Sequence, residues 1–165
     1  MPFRLEPATD EDVPELVALR TAAGEELARV FGPGHWTGRS SERGLRFDMT
    51  LGRYFVARAR GRIIAMLCLG TRKPWAIDPA YFTPVKKPLY LSSMVVHPRR
   101  QRKGVGRGCL EEAARLAREW PAEAIRLDAW DAPAGAGGFY ARCGYREVGR
   151  VVYRQAPLVS FEQLL

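Results

Sequence analysis

The sequence lacks any long hydrophobic run. None of its apolar stretches approaches the ~18–20 residues that a membrane-spanning helix needs. The first residues, Met1-Pro2-Phe3-Arg4, lead into charged sequence rather than into the apolar segment of a signal peptide. We therefore expect a soluble protein that resides in the cytoplasm and has no membrane partner.

Cysteine and histidine are also scarce. Cys68, Cys109 and Cys143 are odd in number, lie far apart and include no C-x-x-C pair, so neither a disulfide framework nor a zinc site is predicted. With His35 and His97 as the two histidines, a histidine-based metal site is not expected either. We predict no bound metal, and we expect the cysteines to behave as small hydrophobic residues.

Length, composition and charge bound the remaining possibilities. A chain of 165 residues with 47% hydrophobic content can bury about 70% of its unfolded surface, which predicts one domain over residues 1–165. The formal net charge of +8 favours anionic ligands, nucleic acids among them. Outside the segment 99–107, however, single arginines are scattered along the chain, which is typical of a solvated surface rather than a nucleic-acid interface. These are Arg20, Arg39, Arg53, Arg72, Arg126 and Arg150.

The segment from Leu89 to Trp120 predicts a strand, a basic loop and a helix. Gly104, Gly106 and Gly108 lack a Cβ, so the backbone can adopt positive φ and approach a ligand closely. The first N–H groups of a helix have no intrahelical partner and attract anions. Five cations add charged donors at the same place: Arg99, Arg100, Arg102, Lys103 and Arg107. The pattern predicts a phosphate-binding loop.

The spacing of this loop excludes two common phosphate motifs. The nucleotide P-loop needs Lys-Ser/Thr after its last glycine, and the dinucleotide fingerprint needs G-x-G-x-x-G. The pattern that remains, Gln101-x-x-Gly104-x-Gly106, resembles the acyl-CoA pyrophosphate loop of the GNAT superfamily of N-acetyltransferases. Other stretches resemble the same family in the expected order: Arg4-Leu5-x-Pro7-Ala8-Thr9-x-x-Asp12, Phe55-Val56-Ala57-Arg58 with a hairpin at Gly61, Val96-x-Pro98, and Phe139-Tyr140-x-x-x-Gly144-Tyr145.

The resemblance implies a fold and a cofactor. The fold is α/β (α+β), with a central mixed and mostly antiparallel sheet, a parallel strand–helix–strand unit at the cofactor site, and flanking helices. The cofactor is acetyl-CoA, and in the family the strand before the loop pairs with pantetheine as an added strand would. The cofactor-binding residues so implied are Met94, Val95, Val96, Gln101, Arg102, Lys103, Gly104, Val105, Gly106 and Arg107.

The resemblance also places Tyr140 beside the leaving sulfur as general acid. A free tyrosine has a pKa of about 10 and a thiol about 8.5, so full proton transfer is uphill by roughly 2 kcal/mol. Either the site lowers the tyrosine pKa, or Tyr140 acts by hydrogen bonding. The alternative is that Tyr140 is a core aromatic packed with Tyr145.

The general base is not apparent from the sequence. Family members often carry a glutamate on the strand before the loop, whereas this chain has Ser92-Ser93-Met94, and Pro133 stands where the family often has an asparagine. Two kinds of residue remain as candidates, serines that orient a water and aspartates that accept the proton: Ser92, Ser93, Asp128 and Asp131.

Periodicity and turn signals predict the surrounding elements. In the first half these are a strand at Phe3–Glu6 stopped by Pro7, a helix capped by Thr9 and running to about Val30, a helical segment near 41–51, and a hairpin at Arg60-Gly61. His35 and Trp36 lie in a breaker-rich loop, where they either face an acceptor or pack. Segment 74–88 is predicted to be ordered by its aromatic residues, as a lid over the acceptor.

The last third predicts a short, glycine-weakened helix within 135–144 that ends at Gly144. Its glycines suggest a close backbone approach, for which the acyl-CoA thioester is the candidate; alternatively, they simply mark a loop before a shorter helix. Two strands, at 145–148 and 151–154, should follow.

The phosphate-binding loop and the resemblance to the GNAT superfamily together imply an acetyl-CoA-dependent N-acetyltransferase. The acceptor would be a small-molecule or peptide amine that attacks the thioester directly in a ternary complex, since Cys109 and Cys143 look too hydrophobically placed to be nucleophiles. We expect a monomer or homodimer. A non-catalytic acyl-CoA sensor with this fold and, less favoured, a basic nucleic-acid-binding module are the alternatives.

Overall fold

A computed structural model describes residues 3–165 of the chain. The helices are α1 (Val13–Phe31), α2 (Glu42–Asp48), α3 (Val105–Glu119) and α4 (Gly137–Arg142). The strands are β1 (Glu6–Pro7), β2 (Arg53–Ala59), β3 (Arg62–Gly70), β4 (Pro88–Val96), β5 (Ala124–Trp130), β6 (Arg146–Tyr153) and β7 (Ala156–Leu164). Within this described range, every helix is too short or too polar to cross a bilayer.

The strands form one mixed sheet in the order β1-β2-β3-β4-β5-β7-β6. The pair β4–β5 is parallel, whereas β1–β2, β2–β3, β5–β7 and β6–β7 are antiparallel. Parallel neighbouring strands need a crossover connection, and α3 is the crossover helix between β4 and β5. The predicted mixed sheet with a parallel strand–helix–strand unit is therefore confirmed.

The chain divides into two compact units. The first consists of the chain up to Leu69 together with Ser93–Ala113, and the second of Gly70–Ser92 together with Ala114–Leu165. The boundaries fall inside β4 and inside α3. The basic loop therefore belongs to the first unit, and Tyr140 belongs to the second.

The core of the first unit forms where α1 packs against the β2–β3 hairpin. Thr9 and Asp12 form the predicted capping box, in which Asp12 accepts a hydrogen bond from Thr9 N at 2.9 Å, but it caps a 3₁₀ turn at Asp10–Asp12 that leads into α1 at Val13. Val13, Leu16 and Leu19 are at most 2% exposed, as the helical spacing predicts. They cluster with side chains of α2, β2 and β3: Leu45, Tyr54, Val56, Ile63, Met66 and Cys68.

Two predicted elements of this unit are longer than the observed ones. The strand predicted at Phe3–Glu6 is wrong, because β1 is Glu6–Pro7 and Pro7 pairs with Phe55. Proline is tolerated there because β1 is at the edge of the sheet, where its missing N–H faces no partner strand. The helix predicted near 41–51 ends at Asp48, after which Thr50 N and Leu51 N donate to the carbonyls three residues back and tighten the turn.

The predicted hairpin between β2 and β3 is confirmed. Arg60 and Gly61 have φ of 50° and 74°, the left-handed conformations that a two-residue type I′ turn requires. Pairing runs from Arg53 with Leu69 to Ala59 with Arg62. β3 is buried over seven consecutive residues, as its apolar sequence predicts.

In the second unit, the two strands predicted at 145–148 and 151–154 are one continuous strand, β6. Gly149 does not break it. A Cβ at Gly149 would lie 2.7 Å from Cγ of Tyr81, so this glycine makes room for a ring of segment 74–88. The final strand, β7, was not predicted, because Arg154 and Gln155 form its turn with φ of 47° and 68° and no glycine marks the place.

Segment 74–88 is ordered, as its aromatic content predicts. Ile77 and Phe82 are 2% and 4% exposed and cluster with Tyr90 of β4. Thr83 N donates to Glu162 Oε2 at 3.0 Å, and the amides of Lys86 and Lys87 donate to Glu123 Oε2 at 2.7 and 2.8 Å. The segment is thus fixed to the second unit along its length; its role as a lid stays a prediction.

Arg126, one of the scattered arginines that were predicted to lie on a solvated surface, is buried. Arg126 is 4% exposed. Its Nη2 donates to Thr83 O at 2.9 Å, its Nη1 donates to Tyr90 Oη at 3.3 Å, and its guanidinium lies 5.0 Å from the centre of the Phe82 ring. The prediction of a solvated surface is wrong here because carbonyl, hydroxyl and ring partners that are distant in sequence hold the two Nη atoms of a long side chain, although its Nε has no hydrogen-bond partner among the described residues.

Candidate functional site

The basic loop begins where β4 ends, and its first turn is closed by hydrogen bonds. His97 N donates to Ile64 O at 2.9 Å, and His97 Nδ1 accepts from Arg99 N at 3.2 Å. Gln101 Nε2 donates back to Val96 O at 3.1 Å. The side chain of Gln101 therefore shapes the loop by tying it to the end of the strand.

The centre of the loop contains two left-handed residues. Arg102 has φ of 58° and Gly104 has φ of 83°. Gly108 N donates to Gly104 O at 2.9 Å, which is the first i to i−4 bond at the start of α3. The amides that come before Gly108 in the first turn have no carbonyl four residues back within the helix. Backbone amides that converge in such a turn at a helix N-terminus form an anion-binding concavity. The geometry fits a phosphate group.

The three glycines of the loop differ in what they do. A Cβ at Gly104 would meet no atom within 4 Å, so its backbone conformation rather than crowding requires glycine, and space beside it is open. Gly106 and Gly108 do not have positive φ, contrary to the expectation for all three. A Cβ at Gly108 would lie 3.0 Å from the Phe3 ring, so Gly108 serves packing.

The cations of the loop are exposed to solvent. Each of them, together with Gln101 and Gly104, lies at the surface: Arg99, Arg100, Arg102, Lys103 and Arg107. Val105 and Gly106 are half-buried. Exposed cations beside a concavity of amides raise the local concentration of anionic ligands.

The end of β4 leads into this loop. Met94, Val95 and Val96 are half-buried, and Val95 packs against the core of the first unit. Because side chains alternate along a strand, those of Met94 and Val96 lie on the opposite face from Val95. The side chain of Val95 is thus a core contact, and any contact that this residue makes with a ligand is through its backbone.

Tyr140 lies in α4 and is 7% exposed. Its ring packs at 5.8 Å from the Tyr145 ring and 6.0 Å from the Phe161 ring. Burial, with the nearby Asp128 carboxylate and Cys143 thiol, raises the pKa of Tyr140 above its ordinary value of 10.0. The phenol is therefore protonated at neutral pH, and it suits hydrogen-bond donation better than full proton transfer to a thiolate.

A sequence model of the acetyltransferase (GNAT) family matches residues 22–145. The chain belongs to the GNAT acetyltransferase family. This family carries out acetyl transfer, so the protein is an acyltransferase of that class. Comparison with curated protein sequences gave no significant match.

Solved structures of acetyltransferases share the fold. A ribosomal-protein-alanine N-acetyltransferase from Brucella melitensis is 17% identical, with 98% of this chain and 99% of that chain covered and a TM-score of 0.72. An acetyltransferase from Thermus thermophilus is 17% identical over 100% and 98% of the chains, TM-score 0.72. The protein yncA from Salmonella typhimurium, solved with its cofactor acetyl-CoA, is 15% identical over 100% and 95% of the chains, TM-score 0.69.

Within this GNAT chain, the glycines before Tyr140 are explained by contacts with the chain itself. A Cβ at Gly135 would overlap the Trp130 carbonyl oxygen, and a Cβ at Gly137 would lie 3.3 Å from Val159 Cγ1. The close approach expected there is to the chain's own atoms. The glycines therefore give no sign of a thioester. Gly135 lies in the loop before α4, whereas Gly137 and Gly138 are the first residues of this short helix.

The candidate bases and nucleophiles lie in different surroundings. Asp131 Oδ2 accepts from Arg150 Nη1 at 2.8 Å, so its charge is already paired. Burial raises the pKa of the half-buried Asp128, which brings that carboxylate closer to the range of a general base.

Cys109 is fully buried, and burial raises the pKa of its thiol to about 12, which is incompatible with a nucleophilic thiolate at neutral pH.

The loop at 31–38 holds its aromatic residues by packing. Trp36 Nε1 donates to Gly32 O at 3.1 Å, and its ring meets the His35 ring edge-on at 5.1 Å. Trp36 also borders a cavity of about 400 Å³, beside α1. The packed alternative for Trp36 is therefore realised, and the cavity beside it belongs to the same unit as the basic loop.

Three residues form a polar cluster, and the sequence pointed to one of them, Ser93. Arg20 Nη2 donates to Tyr54 Oη and to Ser93 Oγ, both at 3.2 Å, and the two hydroxyls are 3.2 Å apart. Asp48 Oδ2 lies 3.6 Å from Arg20 Nη1. Ser93 was a candidate, whereas Arg20 and Tyr54 carry no motif and are brought to it by packing of α1 and β2.

Proposed function

We propose that the protein is an acetyl-CoA-dependent N-acetyltransferase that transfers the acetyl group to an amine of a small-molecule or peptide acceptor. The observation that carries this proposal is the turn at Arg102–Gly104. Its two left-handed residues and the start of α3 fit a diphosphate, in a chain of a family of acetyltransferases. The amine attacks directly in a ternary complex.

The loop residues would hold the cofactor by its diphosphate. Amides of the first turn of α3, with those of Lys103 and Gly104, donate to phosphate oxygens. The exposed side chains of Arg102, Lys103 and Arg107 neutralise its charge, with each well-aligned charged hydrogen bond worth about 1.5–3 kcal/mol. Gln101 contributes by holding the loop to Val96.

The segment Met94–Val96 would hold the pantetheine arm through backbone hydrogen bonds, as a strand added to a sheet edge is held. The side chain of Val95 stays in the core, so recognition here depends on the direction of the strand rather than on side-chain chemistry. Substitutions that preserve the strand should therefore have little effect on binding.

Bound acetyl-CoA supplies an activated acetyl thioester. Tyr140 donates a hydrogen bond at the leaving sulfur, since its raised pKa keeps the proton on the phenol oxygen. An amine is mostly protonated at neutral pH, a penalty of roughly 4 kcal/mol for a pKa near 10.4. A proton acceptor therefore assists the attack, and Asp128, with its raised pKa, is the candidate whose charge is least compensated.

Binding and thiol release test the proposal together. Acetyl-CoA affinity is measured by titration calorimetry for the wild type, Gly104→Asp and Gly38→Asp. Gly38 is the control, because its Cβ would also meet no atom within 4 Å and its φ is an ordinary −63°. We expect Gly104→Asp to abolish measurable binding and Gly38→Asp to preserve it. If Gly104→Asp keeps the wild-type affinity for acetyl-CoA, the diphosphate is not bound at this turn and the proposed site is wrong.

A panel of amines with thiol detection then separates the enzyme from a sensor. The enzyme releases free CoA thiol with at least one amine of the panel, whereas an acyl-CoA sensor binds the cofactor and releases none. The sensor is the second candidate, because the chain has Ser92-Ser93-Met94 where many members carry a glutamate.

A further inference from the structure

Ser93 has an unusual backbone conformation for its position. Its φ is 51°, in the left-handed region that serine rarely adopts. Among the described residues 3–165, four other non-glycine residues share positive φ, and they lie in turns or in the basic loop: Arg60, Arg102, Arg154 and Gln155. Ser93 alone is inside a strand, β4. Such an interruption bends a strand and is often found beside active sites.

The side chain of Ser93 is held from two other elements. Arg20 of α1 and Tyr54 of β2 each lie 3.2 Å from Ser93 Oγ. Arg20 Nη2 also donates to Tyr54 Oη at 3.2 Å, so the three groups form a closed triangle. A hydroxyl that is fixed from two directions restricts the backbone that carries it.

The members of this triangle are themselves well fixed. Tyr54 is 6% exposed and belongs to the core of the first unit. Burial raises the pKa of its phenol, so its proton is retained over the neutral range. The Arg20 guanidinium lies 5.9 Å from the centre of the Tyr54 ring and 3.6 Å from Asp48 Oδ2. Both partners are thus anchored independently of Ser93.

We propose that Arg20 and Tyr54 are positioning residues that hold the left-handed turn at Ser93 and thereby set the direction of Met94–Val96. The inference rests on the proposed function, in which that segment pairs with the pantetheine arm. Without the two anchors, Ser93 relaxes towards an ordinary strand conformation. The backbone of Met94–Val96 then runs in a different direction, and its hydrogen bonds to the cofactor weaken.

Glycine at position 93 provides the decisive comparison. Glycine adopts positive φ about as readily as negative φ, so it needs no side-chain anchor to make this turn. In a Ser93→Gly background, removal of the Tyr54 hydroxyl should therefore cost no further affinity. A role in which Tyr54 merely stabilises the fold would give the same loss in both backgrounds.

The binding experiment is a double-mutant cycle with CoA as the titrant. We expect Tyr54→Phe and Arg20→Met to weaken CoA binding about fivefold to tenfold. We expect Tyr54→Phe to change affinity less than twofold when Ser93→Gly is present. Tyr90→Phe is the matched control, since it removes another buried hydroxyl that accepts from an arginine, Arg126, and should leave CoA affinity unchanged.

The ligand-free protein gives a readout that does not depend on activity. Backbone chemical shifts of Ser93 and Met94 should move towards strand values in Tyr54→Phe and should not move in Tyr90→Phe. Unchanged Ser93 shifts in Tyr54→Phe overturn the inference, as do equal losses of CoA affinity in both backgrounds. A wild-type protein that binds no CoA instead overturns the proposed function, and the chemical shifts still report whether the anchors hold the turn.

Discussion

The Asp12 carboxylate accepts a hydrogen bond from Arg58 Nη2 at 2.6 Å while its other oxygen accepts from Thr9 N at 2.9 Å. Asp12 therefore joins the start of α1 to β2. Burial alone would raise the pKa of Asp12, but the hydrogen bonds from Arg58 and Thr9 outweigh it and hold the pKa below its ordinary value of 3.8.

This pair predicts a loss of stability at low pH. A carboxyl whose pKa is lowered in the folded protein stabilises it above the ordinary pKa, and this contribution is lost as pH falls through the folded value. We expect Asp12→Asn to lower the free energy of unfolding at pH 7 by about 1–2 kcal/mol, and to lower it less near pH 3. Urea unfolding at several pH values measures both.

Asp10→Asn is the matched control for Asp12. Asp10 also pairs with an arginine, Arg46 at 2.8 Å, but its side chain is 78% exposed. Exposed pairs contribute about 0–1 kcal/mol. An equal loss in both variants would show that burial of Asp12 is not what makes its pair strong.

A second prediction concerns Glu162, which is 1% exposed and holds segment 74–88. Its carboxylate accepts from Thr83 N at 3.0 Å and from Thr83 Oγ1 and Arg146 Nη2, both at 2.5 Å. Because Glu162→Gln removes the charge of a buried carboxylate and turns one of its two acceptor oxygens into a donor that faces other donors, we expect the free energy of unfolding to fall by about 1–3 kcal/mol. Hydrogen exchange should accelerate at Thr83 more than in β2.

The exposed Glu147 of β6 serves as control for Glu162, since it pairs with Arg150 at the surface. Glu147→Gln should change the free energy of unfolding by less than about 1 kcal/mol and leave exchange at Thr83 unchanged. If Glu162→Gln accelerates exchange throughout the second unit equally, Glu162 supports the whole unit rather than the segment.

Local rules predicted those parts of the fold whose determinants are adjacent in sequence. The Arg60-Gly61 turn, the cap at Thr9 and the parallel unit around α3 follow from glycine, hydroxyl and periodicity signals. The turn at Arg154 and Gln155 has positive φ without glycine, so no local signal marks it. Here the pairing of β6 with β7 determines the backbone, and that pairing depends on tertiary structure.

The candidate site shows the same division. The basic loop was predicted because its glycines, cations and helix start are consecutive. The partners of Ser93 could not be predicted, because Arg20 and Tyr54 are 73 and 39 residues away along the chain. Buried Arg126 and Glu162 were missed for the same reason, since the hydrogen bonds of each are made with residues distant in sequence.

A third prediction separates the chemistry of Tyr140 from its packing. Tyr140→Phe keeps the buried ring but removes the proposed hydrogen-bond donor. We expect acetyl transfer to fall about 10- to 100-fold, because removal of a donor from the transition state costs roughly 1.4–2.7 kcal/mol. Acetyl-CoA affinity should change less than about twofold, since that donor acts on the leaving sulfur. Thiol release and calorimetry measure the two quantities.

Tyr145→Phe is the control for Tyr140, because Tyr145 is the neighbouring buried tyrosine. Its hydroxyl has no hydrogen-bond partner among the described residues. Removal of an unsatisfied buried hydroxyl is expected to leave turnover unchanged and to leave stability equal or higher by about 1 kcal/mol. Equal losses of turnover in the two variants would assign the effect to packing of the aromatic cluster.

The pH dependence of turnover gives a fourth prediction. Burial, with Asp128 and Cys143 nearby, raises the pKa of Tyr140 above its ordinary value of 10.0, so its phenol keeps its proton throughout the range in which the amine becomes deprotonated. We therefore expect turnover to rise with pH up to about 10, as the free amine fraction increases, without a basic limb that belongs to Tyr140. The opposite result would be a fall in turnover centred below about pH 10 that is present in the wild type and absent in Tyr140→Phe. It would show that the site lowers the pKa of Tyr140 and that the phenol transfers its proton fully.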